Sequence, residues 1–378
     1  MMRGYGMKPG REGRSGKPGE LVKRFDPVLF LLVLAVTLAG IAVIYGATYS
    51  VPGLSNYGKK QFIWLLVCLP AFFLMCAVDY RRVRQISWPF YFVIVLALLL
   101  LPVLGHQVKG AKSWYAVGPH RIQPSEFAKI AVALCLSHYL ASRERPIRRI
   151  RDVLVPLALG AVPAFLILIQ PDLGTASLFL PLVLVMLFAA GSSKRLIFLI
   201  LLLAVWVCVS AYPFLRPYQK ARIRVFLHPE HDARWQGYNI LQAEISLGSG
   251  GVTGKGWKQG TQTRLRFLPE RHTDFIFSSL GEQFGMAGCA ILLVLYALIS
   301  LRIALQARHV RNRFGRLAMI GLLACFLLHV IFNVGMSLRL LPVTGLPLPL
   351  FSYGGSFLLT NYLIFGMIQS IIMRRFQY

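Results

Sequence analysis

Three charged residues lie in or beside apolar segments and are the first candidates for chemistry. Lys129 falls inside an apolar run that begins near position 122, about 10 Å from its start at a helical rise of 1.5 Å per residue. Asp172 lies in a turn between two later apolar runs, and Asp274 ends a long polar loop. Because a charge in the hydrocarbon costs about 2.5–3.5 kcal/mol on insertion scales, such residues tend to be paired or functional.

Lys129 and Asp172 face the same side of the membrane, and a long lysine side chain can reach a carboxylate. We expect either a structural salt bridge between them or a cationic seat for an anionic lipid headgroup, with Asp172 holding Lys129; the two roles are compatible. Glu126 precedes Lys129 by three residues and shares its helix face. It is predicted to form a local pair and is assigned no role in chemistry.

Asp274 belongs to the segment Pro269-Glu270-Arg271-His272-Thr273-Asp274-Phe275. On spacing alone, Thr273 or Asp274 is a good N-cap for the helix that follows. The alternative is a general base at the boundary of water and bilayer, beside several titratable neighbours. The residues by themselves leave both interpretations open.

Other motifs fail as functional sites. Ser249–Gly256 resembles a phosphate-binding loop, but its first position is Ser and its last is Gly, so its glycines are interpreted as permitting close backbone approach. His228 and His231 lack a third ligand at convincing spacing, so no metal site is predicted. The six cysteines lie in apolar runs and read as small buried side chains.

The elements that would position these residues are membrane helices. The chain has 378 residues, is 56% hydrophobic and has a mean hydropathy of +0.61, which is too apolar for a water-soluble domain of this size. The predicted fold is an all-α integral membrane protein of about ten spans, with a large outer loop at 213–276 between spans seven and eight. The predicted spans are 28–48, 61–79, 88–104, 122–141, 153–170, 174–190, 196–212, 277–301, 317–338 and 350–373.

Charge sets the predicted sides of these spans. Of 41 Lys and Arg residues, 24 fall in segments that would be cytoplasmic and 6 in the short outer segments. This asymmetry places both termini in the cytoplasm and explains the net charge of +27 without nucleic acid. Residues 1–25 are predicted to be a basic, disordered cytoplasmic tail and residues 26–378 one membrane domain.

The segment 333–361 interrupts its helices with prolines and glycines. Non-helical backbone at membrane depth is tolerated where it is buried in protein or lines a cavity. A structural hinge would satisfy this pattern, but a cavity wall is favoured because Ser352, Tyr353 and Asn361 add hydrogen-bonding groups.

Four motifs in order resemble those of the SEDS family. They are Gln123-Pro124-Ser125-Glu126 with Lys129, Gln170-Pro171-Asp172-Leu173-Gly174-Thr175, Pro269-Glu270 with His272-Thr273-Asp274-Phe275, and Gly345-Leu346-Pro347-Leu348-Pro349 with Ser352-Tyr353-Gly354-Gly355. The resemblance covers residues 26–378. Arg271 and the segment Pro342–Gly345 look more like the RodA branch than FtsW, with the sporulation branch also close.

The resemblance implies a peptidoglycan glycosyltransferase of the bacterial inner membrane. It would polymerise lipid II during cell elongation, alongside a class B penicillin-binding protein and other elongation proteins. Asp274 matches the family's essential acidic residue, Lys129 and Asp172 match a buried polar pair near the central cavity, and Trp114 with Lys112 matches an outer loop associated with activity. The remaining expected substrate-binding residues are Glu270, Arg271, His272, Thr273, Ser352 and Tyr353.

The expected reaction inverts the anomeric carbon and needs one base, Asp274, to take the proton of the attacking hydroxyl. Lys129 and arginines such as Arg222, Arg224 or Arg271 would neutralise the diphosphate leaving group, with or without a divalent cation such as Mg²⁺ or Mn²⁺. Two alternatives remain: a flippase for the lipid-linked precursor, and a non-catalytic scaffold for a transpeptidase. A flippase would need polar groups through both leaflets, whereas these candidates cluster toward the outer face.

Overall fold

The computed structural model describes residues 23–376, apart from positions 52, 109–110, 119, 145–146, 215–216, 229–235 and 266. Most of the predicted basic tail, residues 1–22, lies outside the described residues.

The described chain is predominantly helical. Its helices are α1 (Pro27–Thr48), α2 (Tyr57–Ala77), α3 (Tyr80–Leu104), α4 (Pro124–Ser142), α5 (Leu154–Ile169), α6 (Leu173–Ser177), α7 (Phe179–Ala189), α8 (Lys194–Ala211), α9 (Pro217–Leu227), α10 (Gln236–Ser249), α11 (Thr261–Arg264), α12 (Ile276–Arg308), α13 (Arg313–Ser337) and α14 (Gly355–Met373). Short 3-10 turns at Ile150–Val153 and Tyr212–Phe214 precede α5 and follow α8.

Seven helices of the described chain are long and apolar enough to cross a membrane: α1, α2, α3, α5 with its preceding turn, α12, α13 and α14. The prediction of a polytopic membrane protein is therefore confirmed at this level. The other three predicted spans correspond to α4, to α6 with α7, and to α8. The sixth is broken where α6 gives way to α7, so it forms only a shorter apolar element.

The bundle is built around its last two long helices. α14 packs mainly against α2, and α13 against α4. In the spanning window of α14, 83% of residues are buried inside the protein, against 22% for α3. α14 is therefore the centre of the bundle, whereas α3 presents most of its surface outward.

The segment between α3 and α4 adds a detail that the sequence did not predict to this otherwise helical fold. It forms a small antiparallel sheet of β1 (His106–Val108), β2 (Ala111–Val117) and β3 (His120–Ile122), in the order β1-β2-β3. Cα pairs such as Gln107 with Lys112, and Ala116 with Arg121, define its register. The short polar run between two long helices carried too little alternation to show these strands in the sequence.

The glycine-rich stretch after α10 packs directly on α12. Backbone N–H groups of Lys255 and Gly256 donate to the carbonyls of Glu282 and Gln283 at 3.0 and 3.1 Å. Gly254 has a φ of +84°, and a Cβ there would lie 2.3 Å from the Gln283 carbonyl oxygen. The prediction that these glycines permit close backbone approach is confirmed.

The chain between α13 and α14 is non-helical, as the prolines and glycines predicted. α14 begins at Gly355 rather than at the predicted 350, just as α3 begins at Tyr80 rather than at 88. Gly345 and Gly354 have φ values of +75° and +158°. This broken segment, residues 338–354, supplies one wall of the main cavity.

Candidate functional site

One cavity of about 1040 Å³ gathers side chains from five parts of the fold. Its walls come from α2, the β2–β3 region, the start of α4, the segment before α12 and the broken segment with the start of α14. The lining residues are Tyr57, Lys60, Ile63, Trp64, Val67, Trp114, Arg121, Gln123, Glu126, Glu270, Thr273, Asp274, Gly345, Pro347, Tyr353, Gly354, Gly355, Ser356 and Phe357.

Asp274 lines this cavity, and a buried amide on α13 holds its backbone in place. The side-chain amide of Asn333 on α13 donates to the Asp274 carbonyl at 2.8 Å and to the Leu346 carbonyl at 2.7 Å. Asn333 is fully buried. One amide therefore ties the residue that carries the carboxylate to the broken segment.

The residues just before Asp274 are held to the same segment. The Ser352 hydroxyl donates to the Thr273 carbonyl at 2.6 Å, and the Tyr353 N–H donates to the His272 carbonyl at 2.8 Å. The carbonyls of residues 272 to 274 thus accept from donors some 60–80 positions away in sequence, which fixes the path of the backbone that carries Asp274.

The prediction that Thr273 or Asp274 caps the next helix is wrong. Phe275 occupies the N-cap of α12 and makes no side-chain cap hydrogen bond. The Asp274 carboxylate instead lies beside Gly345, where an added Cβ would be 3.6 Å from Oδ2. The absence of a side chain at Gly345 keeps this side of the carboxylate open to the cavity.

Glu270 and Thr273 also line the cavity and contact each other. The Thr273 hydroxyl donates to Glu270 Oε2 at 3.1 Å. Arg271 and His272, with Glu270, line a smaller adjoining pocket of about 410 Å³. Arg271 is buried, with 4% of its surface exposed. Of the four residues expected to bind substrate, Glu270 and Thr273 therefore line the main cavity, whereas Arg271 and His272 line the adjoining pocket.

Lys129 does not pair with Asp172, which corrects the predicted salt bridge. Its ammonium donates to Glu126 Oε2 at 2.7 Å, and both side chains are 4% exposed. It also contacts His329 Nε2 on α13. Because ammonium only donates, His329 Nε2 must accept, and Nδ1 then donates to the Pro347 carbonyl at 3.3 Å. Lys129 thus lies directly behind Glu126.

Asp172 serves as a helix cap. Its Oδ1 accepts from the Thr175 N–H at 3.0 Å, and Oδ2 accepts from the Gln123 side-chain amide at 3.3 Å. Gln123 lines the cavity. Asp172 therefore braces a lining residue, and its carboxylate is committed to two donors that the lysine would have had to displace.

The other expected residues divide between the cavity and its support. Trp114 and Tyr353 line the cavity, whereas Lys112 donates to the Pro102 carbonyl at 3.2 Å on the exposed side of the sheet. Ser352 is buried. Its hydroxyl accepts from the Leu348 N–H and donates to the Thr273 carbonyl. Ser352 therefore braces the site from behind.

Several lining residues were missed from sequence, and two of them are cations. Lys60 and Arg121 line the cavity, and Lys60 Nζ lies 5.4 Å from the centre of the Tyr57 ring. Tyr57 stacks on Tyr353 with ring centroids 4.3 Å apart. The sequence offered no motif for them: Lys60 and Arg121 lie immediately before the predicted spans 61–79 and 122–141, in short outer segments that were used only for the charge count.

Among the described residues, no group of three His, Cys, Asp or Glu side chains is placed to hold a metal ion. Arg224, one of the cations expected to face the leaving group, lies on α9 and outside the set of described lining residues. The Arg222 side chain lies outside what the structure describes.

The sequence of this chain matches the model of one protein family over nearly its whole length. The model of the family described as cell cycle protein, which groups FtsW, RodA and SpoVE, matches residues 26–377. The chain belongs to this family. The resemblance to the SEDS proteins drawn from the four motifs is confirmed.

Relatives within the SEDS family agree in length and fold. The peptidoglycan glycosyltransferase MrdB of Escherichia coli K12 is 38% identical over 353 residues, covering 93% of this chain and 94% of the relative. RodA of Treponema pallidum, also a peptidoglycan glycosyltransferase, is 35% identical over 430 residues, covering 94% and 99%.

Two solved structures share the SEDS architecture described above. A chain from a peptidoglycan synthase complex that coordinates polymerization and crosslinking superposes with a TM-score of 0.82 at 32% identity, covering 94% of this chain and 99% of that one. The rod shape determining protein RodA of Thermus thermophilus has a TM-score of 0.70 at 29% identity, covering 94% and 98%.

Proposed function

We propose that this protein is a peptidoglycan glycosyltransferase that polymerises lipid II, with Asp274 as its general base. The observation that carries this proposal is the position of Asp274: its carboxylate lies in a large cavity whose other walls supply cations, aromatic rings and a lipid-facing edge. The names of the MrdB and RodA relatives support the reaction class.

The reaction needs one base and a stabilised leaving group. The 4-hydroxyl of one lipid-linked disaccharide attacks the anomeric carbon of a second chain, and the bond from that carbon to the diphosphate oxygen breaks. The α-linked donor becomes a β-1,4 product, so a single displacement suffices. Asp274 takes the hydroxyl proton, and undecaprenyl diphosphate leaves.

Lys60 and Arg121 are placed to bind that diphosphate. Both side chains line the cavity, whereas Lys129 is separated from it by Glu126 and Phe357. Cations that face a developing negative charge in a partly enclosed site stabilise the transition state. Lys129 has a supporting role, since its pairing with Glu126 fixes a carboxylate in the cavity wall.

A lipid tail needs a path out of the cavity, and α2 supplies one. Ile63 and Val67 line the cavity and are also 59% and 51% exposed on the apolar surface of the bundle. A polyprenyl chain can therefore lie between the cavity and the hydrocarbon while its sugars stay near Asp274. Trp64, Trp114 and the stacked Tyr57 and Tyr353 add aromatic rings to the cavity wall.

The flippase alternative requires a polar path through the membrane, and the interior of α4 argues against one. From Ile130 to Leu136 every residue of this helix is buried and apolar. Polar groups near the cavity end of α4 are therefore separated from those near Ser137 by about two turns of packed side chains.

We place the protein in the bacterial inner membrane with ten spans and with both termini in the cytoplasm. The seven apolar helices, together with α4, α6–α7 and α8, supply ten crossings, and the charge asymmetry supports the orientation. The matched synthase complex and the RodA relatives support a class B penicillin-binding protein as partner and elongation as the setting.

The test is polymerisation of labelled lipid II by purified protein, with and without its transpeptidase. Wild type is expected to make glycan strands, and Asp274→Ala to make none under either condition. Lys112→Ala, outside the cavity on the sheet, is the matched control and should keep most of its activity. Normal polymer from Asp274→Ala would refute the assignment of Asp274 as the base. No polymer from wild type with its partner would refute the proposed activity.

A further inference from the structure

A separate pocket, of about 380 Å³, lies at the other end of the bundle from Asp274. His138 lies in its wall and follows Glu126 on α4 by twelve residues, which corresponds to about 18 Å along the helix. The two cavities therefore open toward opposite faces. The residues that line this basic pocket are Tyr80, Arg81, Arg84, Gln85, His138, Asn312 and Phe314.

The basic pocket contains buried donors that the protein does not satisfy. Nε and Nη2 of Arg81 and the hydroxyl of Tyr80 are buried beside one another, and beyond this pair none has a hydrogen-bond partner within the described chain. Leaving a charged donor buried and unpaired costs more than leaving a neutral one. Such groups in a folded protein are usually accounted for by a bound water, ion or ligand.

The charge around these donors favours an anion. Arg81 and Arg84 both line the pocket, and no described lining residue is acidic. The neighbouring carboxylate, Asp79, caps α3 by accepting from the Arg81 backbone N–H at 2.9 Å and lies 4.0 Å from Arg374. His138 Nδ1 lies 2.9 Å from the Arg84 carbonyl, so the ring is held against the same turn of α3.

The surroundings favour an anion with an apolar tail. Beyond the pocket, α3 presents apolar side chains outward, among them Ile86 at 55% and Phe92 at 60% exposure. An arginine pair at the end of a lipid-facing helix suits a phosphodiester whose chains run along that helix. We propose that this basic pocket binds a phosphate group, supplied by the headgroup of an anionic lipid in the leaflet opposite Asp274.

This proposal is independent of the glycosyltransferase activity, and binding tests it directly. The full-length protein would be examined by native mass spectrometry, with phosphatidylglycerol and then a zwitterionic lipid as probes. Arg81→Gln and Arg84→Gln should each weaken retention of the anionic lipid at least about tenfold, as expected for loss of a charge-assisted hydrogen bond. Arg82→Gln removes the same charge from an exposed position on the same helix turn and should change retention little.

A second arm titrates inorganic phosphate into lipid-stripped protein and follows its melting temperature. Retention of the anionic lipid that depends on Arg81 and Arg84, with no rise in melting temperature from inorganic phosphate, supports the lipid source. The same dependence with inorganic phosphate supports a phosphate site that needs no tail. The proposal would be overturned if Arg82→Gln and Arg84→Gln weakened lipid retention equally. It would also be overturned if neither lipid retention nor the phosphate-induced rise in melting temperature depended on Arg81 and Arg84. Tyr80→Phe, which removes only one hydroxyl, serves if Arg81→Gln does not fold.

Discussion

The buried pair of Lys129 and Glu126 makes the sharpest stability prediction. Both side chains are 4% exposed, and the lysine also contacts His329 Nε2. Lys129→Met keeps the length of the side chain but leaves Glu126 without its cation and His329 without its donor. Removing one member of a buried ion pair typically costs about 3–5 kcal/mol, so we expect a loss in that range.

The double variant Lys129→Met/Glu126→Gln removes both charges and separates pairing from packing. Its free energy of unfolding should fall by less than the sum of the two single losses, because neither charge is then buried alone. Arg143→Met is the matched control. It breaks a pair with Asp152 whose side chains are 32% and 31% exposed, so its loss should stay within about 1 kcal/mol.

The assay is unfolding by sodium dodecyl sulfate in mixed micelles, followed by tryptophan fluorescence. A large loss for Lys129→Met, partial recovery in the double variant and little change for Arg143→Met would support the pairing. Strictly additive single losses, or equal losses for Lys129→Met and Arg143→Met, would refute it.

Three further predictions address the cavity and its supports. Lys60→Met should lower kcat/KM for lipid II at least about tenfold in the polymerisation assay, whereas Lys59→Met, which removes an exposed charge outside the cavity lining, should not. Gly254→Ala should increase protease cleavage of the outer loop because its Cβ meets the backbone of α12, whereas Gly248→Ala meets nothing within 4 Å and should not. Ser352→Ala should cost about 1–3 kcal/mol of unfolding free energy, measured in the same micelles, because it leaves a buried N–H and carbonyl without their partner.

Much of the architecture could be predicted from the sequence because membrane helices and helix breaks leave clear local patterns. Apolar runs marked the helices, and the prolines and glycines near Gly345 predicted a broken segment. The small sheet at 106–122 was missed because three short strands leave little periodicity. Helix starts such as Tyr80 were misplaced by several residues, since polar first turns do not resemble membrane spans.

The site was harder to predict than the fold because side chains meet across the bundle. Lys129 pairs with Glu126 because the two residues lie on adjacent turns of one helix face. The carboxylate of the more distant Asp172 accepts hydrogen bonds from Thr175 and Gln123 instead. The bracing of Asp274 by Asn333 joins positions 59 residues apart, which no local pattern records. The residues alone left Asp274 open between a helix cap and a general base, and the family resemblance favoured the base; the surroundings of its side chain required the tertiary structure.

The measurement that bears most directly on Asp274 separates binding from turnover. Asp274→Asn keeps the size of the side chain and removes the base, so labelled lipid II should bind with unchanged Kd while kcat for polymerisation falls by about 10²–10⁴-fold. Glycan synthesis at the wild-type rate by Asp274→Asn would contradict the account. So would a loss of turnover fully explained by weaker lipid II binding.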